Sequence, residues 1–280
     1  MRAAGGSDWK LWPASAALAL FFVLPLGYFL VVSFWRLRSY KLVPTFTLDN
    51  YALVFAEYSG ALAFTLALAL VVAAVSTVLG FAIAYMARFR AGRWGQVILF
   101  VVLVTLFGGY LVKIFAWKTI LGTNGVLNNA LMALGIVSEP VSALLYSPLA
   151  VVITLVHFLL PFTVLPIYGS LRGVADTPLA AARDLGAGNM RVLRDMVLPQ
   201  CQAGIFAAFA IAFLISVGDY VTPRLVGGPD STMVGNFVES QFVNRLNAPV
   251  GSALSYTMLA ISMVVLFGFR AGLRAMLGPR

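Results

Sequence analysis

Asp219, in the run Gly218-Asp219-Tyr220, closes a long apolar segment and is the residue of this chain best suited to chemistry. An ionisable group at membrane depth is costly unless it faces a cavity or a partner. A cationic solute losing its water would gain from pairing with that carboxylate. Tyr220, Trp117 and Tyr110 offer ring faces that attract cations. Asp219, Tyr220, Trp117 and Tyr110 therefore form a candidate solute pathway. The second reading of Asp219 is structural: it pairs with a basic neighbour or caps a helix end.

The remaining reactive residue types point away from catalysis. The one histidine, His157, lies four residues before Pro161. It reads either as a proton relay or as a hydrogen-bond partner for a carbonyl that the proline frees. Lys113 and Lys118, five apart, do not share one helix face and are expected to snorkel to the outer surface. The single cysteine, Cys201, excludes an internal disulfide and reads as a small packed residue at a helix entrance. Asp230 and Glu239 are expected to meet solvent or a docked protein. No phosphate loop is present, and one histidine, one cysteine and ten scattered acids make neither a metal cluster nor a nucleophilic triad. The expectation is a chain with no catalytic residue, no metal site and no bound cofactor.

These residues need a frame, and composition says which kind. Of 280 residues 61% are hydrophobic and 10% charged, against about 25% charged in soluble domains. This is the composition of a membrane protein. The net charge of +9 is spread between apolar runs with no basic cluster of more than three residues in a short span, so it reads as positive-inside orientation and not as nucleic-acid binding. Helices of about 20 apolar residues span a bilayer, and six segments qualify, at 11–35, 61–87, 94–118, 147–171, 203–221 and 251–269. The first is too long for a signal core and lacks small residues for cleavage, so it is expected to stay as an anchor. Residues 36–57 read as a polar loop, and 126–137 as a short interfacial helix. Pro148, Pro161 and Pro166 predict kinks in the fourth span. Gly108-Gly109 and Gly227-Gly228 are turn or close-packing signals.

Between the fourth and fifth spans lies a polar stretch, Asp176 to Pro199. Thr177-Pro178 predicts a helix start at Pro178, with the threonine as cap. Gly186 and Gly188 break the run, Asn189 offers a second cap, and Met190, Val192, Leu193, Met196 and Val197 mark one apolar face. Pro199 biases Leu198 away from helix and is expected to end the second piece. With the amino terminus inside, Arg2, Lys10, Arg88, Arg90, Arg93, Arg172, Arg183, Arg191, Arg194, Arg270, Arg274 and Arg280 are cytoplasmic. These are twelve of nineteen basic residues, leaving Arg36, Arg38, Lys41, Lys113, Lys118, Arg224 and Arg245 outside. That balance places both termini and the polar stretch in the cytoplasm.

The alanines at 180–182, Gly186, and Met196-Val197-Leu198-Pro199 resemble the EAA loop of permease subunits in bacterial binding-protein-dependent ABC importers. Lys113-Ile114-Phe115-Ala116-Trp117 through Gly125 and Asn128 are similar to the spermidine and putrescine branch. So are Leu160-Pro161-Phe162 through Tyr168, and Gly218-Asp219-Tyr220-Val221-Thr222-Pro223 with Gly227-Gly228. The likeness runs over residues 60–270. It implies an all-α membrane protein with the type I permease fold, six transmembrane helices and a cytoplasmic coupling helix seated in a groove of an ATPase. Carried onto this sequence, coupling falls to Ala180, Ala181, Arg183, Asp184, Gly186, Ala187, Met190 and Arg191. The family usually has glutamate where Ala180 stands. As third helical residue after Thr177, that glutamate would complete a capping box.

The resemblance further implies a second homologous permease, an ATPase dimer holding ATP and Mg, a periplasmic or extracellular solute-binding protein, and a multi-pass place in the bacterial inner membrane. A polyamine is the implied solute, and another small amine or amino-acid-derived compound the alternative. A secondary transporter driven by an ion gradient would want paired intramembrane carboxylates or inverted repeats. A membrane enzyme would want a catalytic constellation.

Overall fold

The computed structural model describes residues 12–278. Leu11 of the first expected span, and Arg2, Lys10 and Arg280 of the charge balance, lie outside the described residues. Apart from one two-stranded hairpin, the regular structure among the described residues is helical. Among the described residues four helices are long and apolar enough to cross a membrane, and two bent helix pairs each qualify by length and composition as one further span.

The first compact unit comprises the described residues up to Gly60 together with Phe237–Ala260. Helix α1 (residues 12–32) runs into a hairpin, β1 (Arg36–Arg38) antiparallel to β2 (Lys41–Val43). The expected loop over 36–57 is thus mostly ordered. Helix α2 (Asp49–Tyr85) begins twelve residues before the expected span at 61. Thr47 accepts a hydrogen bond from the Asp49 amide, Asp49 pairs with Arg36, and Asn50 donates to the carbonyls of Ser33 and Trp35. A hydropathy count misses this start because charged residues belong to the helix that projects beyond the lipid. The 37 residues of α2 make about 55 Å at 1.5 Å each, well above a hydrocarbon layer of about 30 Å.

The second unit comprises Ala61–Asn236 and the described residues from Ile261 onward. After a π turn at Met86–Arg90, α3 (Trp94–Phe107) and α4 (Tyr110–Leu121) follow. The expected straight span over 94–118 is instead two helices. The chain bends by 100° between Trp94–Phe107 and Tyr110–Ala133. Gly108 and Gly109 both take extended ψ values there, a change of direction that two residues without Cβ make cheaply. Helix α5 (Val126–Ala133) is held by Asn128, which donates to Gly122 O and accepts from the Val141 amide.

Helix α6 (Pro148–Arg172) is capped by Ser147 and continues through both internal prolines. Below it come α7 (Asp176–Asp184) and α8 (Asn189–Gln200). Then α9 (Gln202–Val217) leaves α8 at 72°. Two short helical pieces follow, α10 (residues 221–227) and α11 (residues 234–244). Helix α12 (Ala248–Leu277) is the last described element, outrunning the expected 251–269 because helical hydrogen bonding does not stop at the lipid boundary.

Helix α9 packs along α6 through small residues, the means by which membrane helices approach closely. A Cβ on Gly204 would collide with the Pro166 carbonyl and the Ser170 side chain, and one on Gly80 of α2 would collide with Thr163. Thr163 Oγ1 donates to the Ser76 carbonyl at 3.0 Å and to the Leu160 carbonyl. Gly204→Val is expected to overpack this contact and lower stability by about 1–3 kcal/mol. Gly169→Ala, with nothing within 4 Å of the added carbon, is expected to be neutral or slightly stabilising. Thermal denaturation of the purified variants in one detergent measures both.

Candidate functional site

The polar stretch at 176–200 is a bent helical element clamped to the membrane helices above it. Helix α7 starts at Asp176, not Pro178. Its flanking residue is Ala175, with extended backbone and no side-chain cap. Thr177 is therefore inside the first turn, and Pro178 occupies the third helical position, where its missing N–H still falls among donors without a partner. Ala180 becomes the fifth helical residue, so the capping-box reasoning for a glutamate at that site does not apply here. The acid near the positive helix end is Asp176, which receives two hydrogen bonds from Arg88 at 2.9 and 3.0 Å. Arg88 also donates to the Val174 carbonyl.

Gly186 forms the elbow with φ +85°, a left-handed conformation that side chains rarely adopt. The flanking residue of α8 is Gly188, without a side-chain cap, so Asn189 is the first helical residue and not the cap. Leu198 stays helical, at φ −58° and ψ −44°, and the break falls at Cys201. Pro199 is accommodated because residues Leu193–Val197 are wound as a π turn. The wider turn moves the carbonyl one turn back out of the ring's way. Pro25 likewise lies two residues beyond the π turn Ala19–Val23 of α1.

Burial divides this element into an anchor and a protruding tip. Leu179, Val192 and Val197 are buried in one cluster with Ala84, Val164, Ile167, Leu171, Cys201 and Ile205. Ala182, Ala187, Leu193 and Met196 pack against its edge. Cys201 is thus a buried packing residue, without a disulfide. On the other side Ala180, Ala181, Arg183, Asp184, Gly186, Met190 and Arg191 are exposed. Leu185, which sequence reasoning passed over, is 89% exposed, and Met190 73%. Two bare apolar side chains flanked by Arg183, Asp184 and Arg191 make a knob suited to a partner's groove.

The second constellation gathers around Asp219, which is only 7% exposed. Its Oδ1 accepts from the Tyr110 hydroxyl at 2.6 Å and from the amides of Val221 and Thr222 at 3.0 and 3.3 Å. The hydroxyls of Tyr110 and Thr222 also lie 2.6 Å apart. Asp219 is therefore the cap of α10, as its structural reading had it, while Oδ2 stays buried without a hydrogen-bond partner. Gly235 lets the start of α11 press against the Asp219 carbonyl and the Tyr220 Cβ. Asn236 donates to the Tyr220 carbonyl at 2.7 Å, and Thr65 accepts from the Val234 amide.

Of the four candidate residues, the structure bonds Tyr110 directly to Asp219. Tyr220 is half-exposed beside it. Trp117 packs edge-on to His157, with ring centroids 5.7 Å apart. The histidine's Nδ1 has no partner, so that nitrogen does not serve a proline-freed carbonyl. Lys113 departs from expectation. Instead of snorkelling it is 7% exposed, its Nζ has no hydrogen-bond acceptor, and it stands 5.3 Å from the centre of the Phe158 ring. The 100° bend before α4 turns Tyr110, Lys113 and Trp117 toward Phe158 and His157 of α6. Spacing at three and four residues on α4 (110, 113, 117) was the available signal. Lys118 lies over Tyr146 at 5.7 Å.

Residues 80–280 match the model of the family described as binding-protein-dependent transport system inner membrane component. The chain belongs to this family. It is the multi-pass membrane permease subunit of an ABC importer. The spermidine/putrescine transport system permease protein PotB of Escherichia coli (strain K12) is 32% identical over 257 residues, 91% of this chain and 93% of the relative. PotC, a second permease protein of that organism's spermidine/putrescine system, is 32% identical over 110 residues, 39% of this chain and 41% of PotC. The type I fold is seen again in a chain of a bacterial ABC transporter that imports the acidic polysaccharide alginate. That chain has a TM-score of 0.72 at 16% identity and 96% coverage of both chains.

Removing the anchor of the permease's exposed element should loosen it without touching the tip. Leu179→Ala is expected to cost about 2–5 kcal/mol of local stability and to speed limited trypsin cleavage at Arg183 and Arg191 severalfold. Leu185→Ala is expected to leave the cleavage rate unchanged. Timed proteolysis in detergent distinguishes the two.

Proposed function

We propose that this permease forms half of the solute path of an ATP-driven importer of small polyamines, in the size and charge range of spermidine and putrescine. A second, homologous permease supplies the other half, as the likeness to both PotB and PotC suggests. An ATPase dimer, which holds the ATP and Mg, grips the tip at Leu185 and Met190, with Ala180, Ala181, Arg183, Asp184, Gly186, Ala187 and Arg191 around it. An external solute-binding protein delivers the polyamine, and both termini face the cytoplasm. Closing of the ATPase dimer pulls the 176–200 element, and its buried anchor passes the movement to α6 and α9. Such a lever works only if the two transport states differ in their contact energy with the nucleotide-bound partner.

The observation that carries the solute assignment is the unbonded Oδ2 of Asp219, a buried carboxylate oxygen with acceptor capacity to spare. A polyamine nitrogen passing it would form a charge-assisted hydrogen bond, roughly twice as strong as a neutral one. Lys113 favours a second reading. A buried ammonium without an acceptor suits a solute that also bears a carboxylate, such as an amino-acid-derived zwitterion.

Asp219→Asn separates the carboxylate's two tasks. Asparagine still caps α10 through its carbonyl oxygen, so the melting temperature is expected to stay within about 2 °C, while uptake of radiolabelled spermidine falls about tenfold or more. Unchanged uptake removes Asp219 from the path. Competition of that uptake by excess amino-acid zwitterion but not by putrescine selects the second reading. Co-purification of an ATPase that is lost in a Leu185→Asp/Met190→Asp variant tests the grip on the tip.

A further inference from the structure

Where α9 begins, beside the far end of α12, lies a cavity of about 300 Å³ lined by Gln202, Ala203, Phe206, Arg270, Leu273 and Arg274. Arg270 and Arg274 are one helical turn apart and so share a face. Like charges at that spacing repel. Neither forms an ion pair with a carboxylate among the described residues, unlike Arg36 with Asp49 and Arg88 with Asp176. The Arg270 guanidinium stands 5.5 Å from the centre of the Phe206 ring, which is itself stacked on Phe269. Gln202 is held by donating to the Leu277 carbonyl. The cavity therefore combines two exposed guanidinium groups, without a carboxylate partner among the described residues, with an apolar wall of Phe206, Ala203 and Leu273.

Its depth follows from helix geometry. Arg270 is twenty-two residues beyond Ala248, the first residue of α12, or about 33 Å along the axis. A hydrocarbon layer is about 30 Å thick. With the hydrocarbon layer taken to begin at Ala248, Arg270 falls at the boundary of the bilayer and Arg274 one turn outside it. That is the level at which α8 passes through Cys201 into Gln202, on the side of the exposed 176–200 element.

We propose that this cavity binds the phosphate headgroup of an anionic phospholipid, with the acyl chains leaving along Phe206 and Leu273. Guanidinium forks match phosphate oxygens in paired hydrogen bonds, and basic pockets between helices at the membrane face select anionic headgroups. The apolar wall favours a lipid over a free anion, which has nothing to place against an aromatic ring. The site stands whatever solute the pathway carries.

The test titrates the delipidated full-length chain, with the subunits that accompany it, with phosphatidylglycerol or phosphatidylcholine and counts bound lipids by native mass spectrometry. The wild-type chain is expected to retain phosphatidylglycerol at least tenfold better than phosphatidylcholine. Arg270→Gln/Arg274→Gln is expected to abolish that preference, and Arg270→Lys/Arg274→Lys to keep most of it. The site is refuted by a wild-type chain without preference, or by a glutamine variant that keeps it. Displacement of the lipid by millimolar inorganic phosphate would assign the cavity to a soluble anion. Loss of an accompanying ATPase from the glutamine variant, with lipid binding intact, would assign it to a protein carboxylate. If the glutamine variant fails to fold, the wild-type titration and the lysine variant still decide.

Discussion

The burial of Leu179, Val192 and Val197 against the ends of α6 and α9 that flank the 176–200 element is the contact on which the rest of the molecule depends. Membrane helices can slide in lipid with little energetic consequence, since lipid tails are as apolar as leucine. A water-facing element is different, because its apolar side chains are held by the hydrophobic effect at about 1.5–3 kcal/mol each. Three such anchors, with Ala182, Ala187, Leu193 and Met196 at the edge, join the 176–200 element to the spans as one body. The clamp of Arg88 on Asp176 and the Val174 carbonyl adds direction to that attachment.

Breaks in the membrane helices follow a related constraint. Backbone groups in lipid must find partners within the protein, so a span changes direction where a residue type makes the change cheap. Gly108 and Gly109 turn the third span by 100°, and the bend lets α4 present Tyr110, Lys113 and Trp117 to α6. Pro25 and Pro199 are tolerated by another device, the π turn two residues upstream. The same economy appears at Asp219. One carboxylate oxygen is spent on Tyr110 and the start of α10, and the other is left unbonded in a buried setting.

Much of this was legible beforehand in the residues, and the misses have identifiable causes. The glycine elbow at Gly186 and the apolar stripe through Val192 and Val197 were readable because both are local: one depends on a missing Cβ, the other on helical period. Helix starts read from local chemistry were less secure. Thr177 and Asn189 each looked like a cap, yet Ala175 and Gly188 hold those positions, because packing of Leu179 and Val192 sets where each helix must lie. Ends read from hydropathy failed in the other direction, as with α2 and α12, because helices outlast the lipid. The knob residue Leu185 was overlooked because an exposed leucine has no signature in one dimension.

The sequence by itself determined that this chain is a helical membrane protein, that a polar elbow interrupts its apolar segments, and to which transporter family it belongs. Each of these rests on composition, on period within a segment, or on residues adjacent along the chain. The tertiary structure decided what those segments present to one another: Tyr110 to Asp219 across 109 residues, Arg88 to Asp176 across 88, and the burial of Lys113 over Phe158. Hydrophobic patterning fixes which face of a helix avoids water but not which neighbour it meets. In a membrane, where nearly every face is apolar, that choice is left to close packing at small residues and to a few polar bonds.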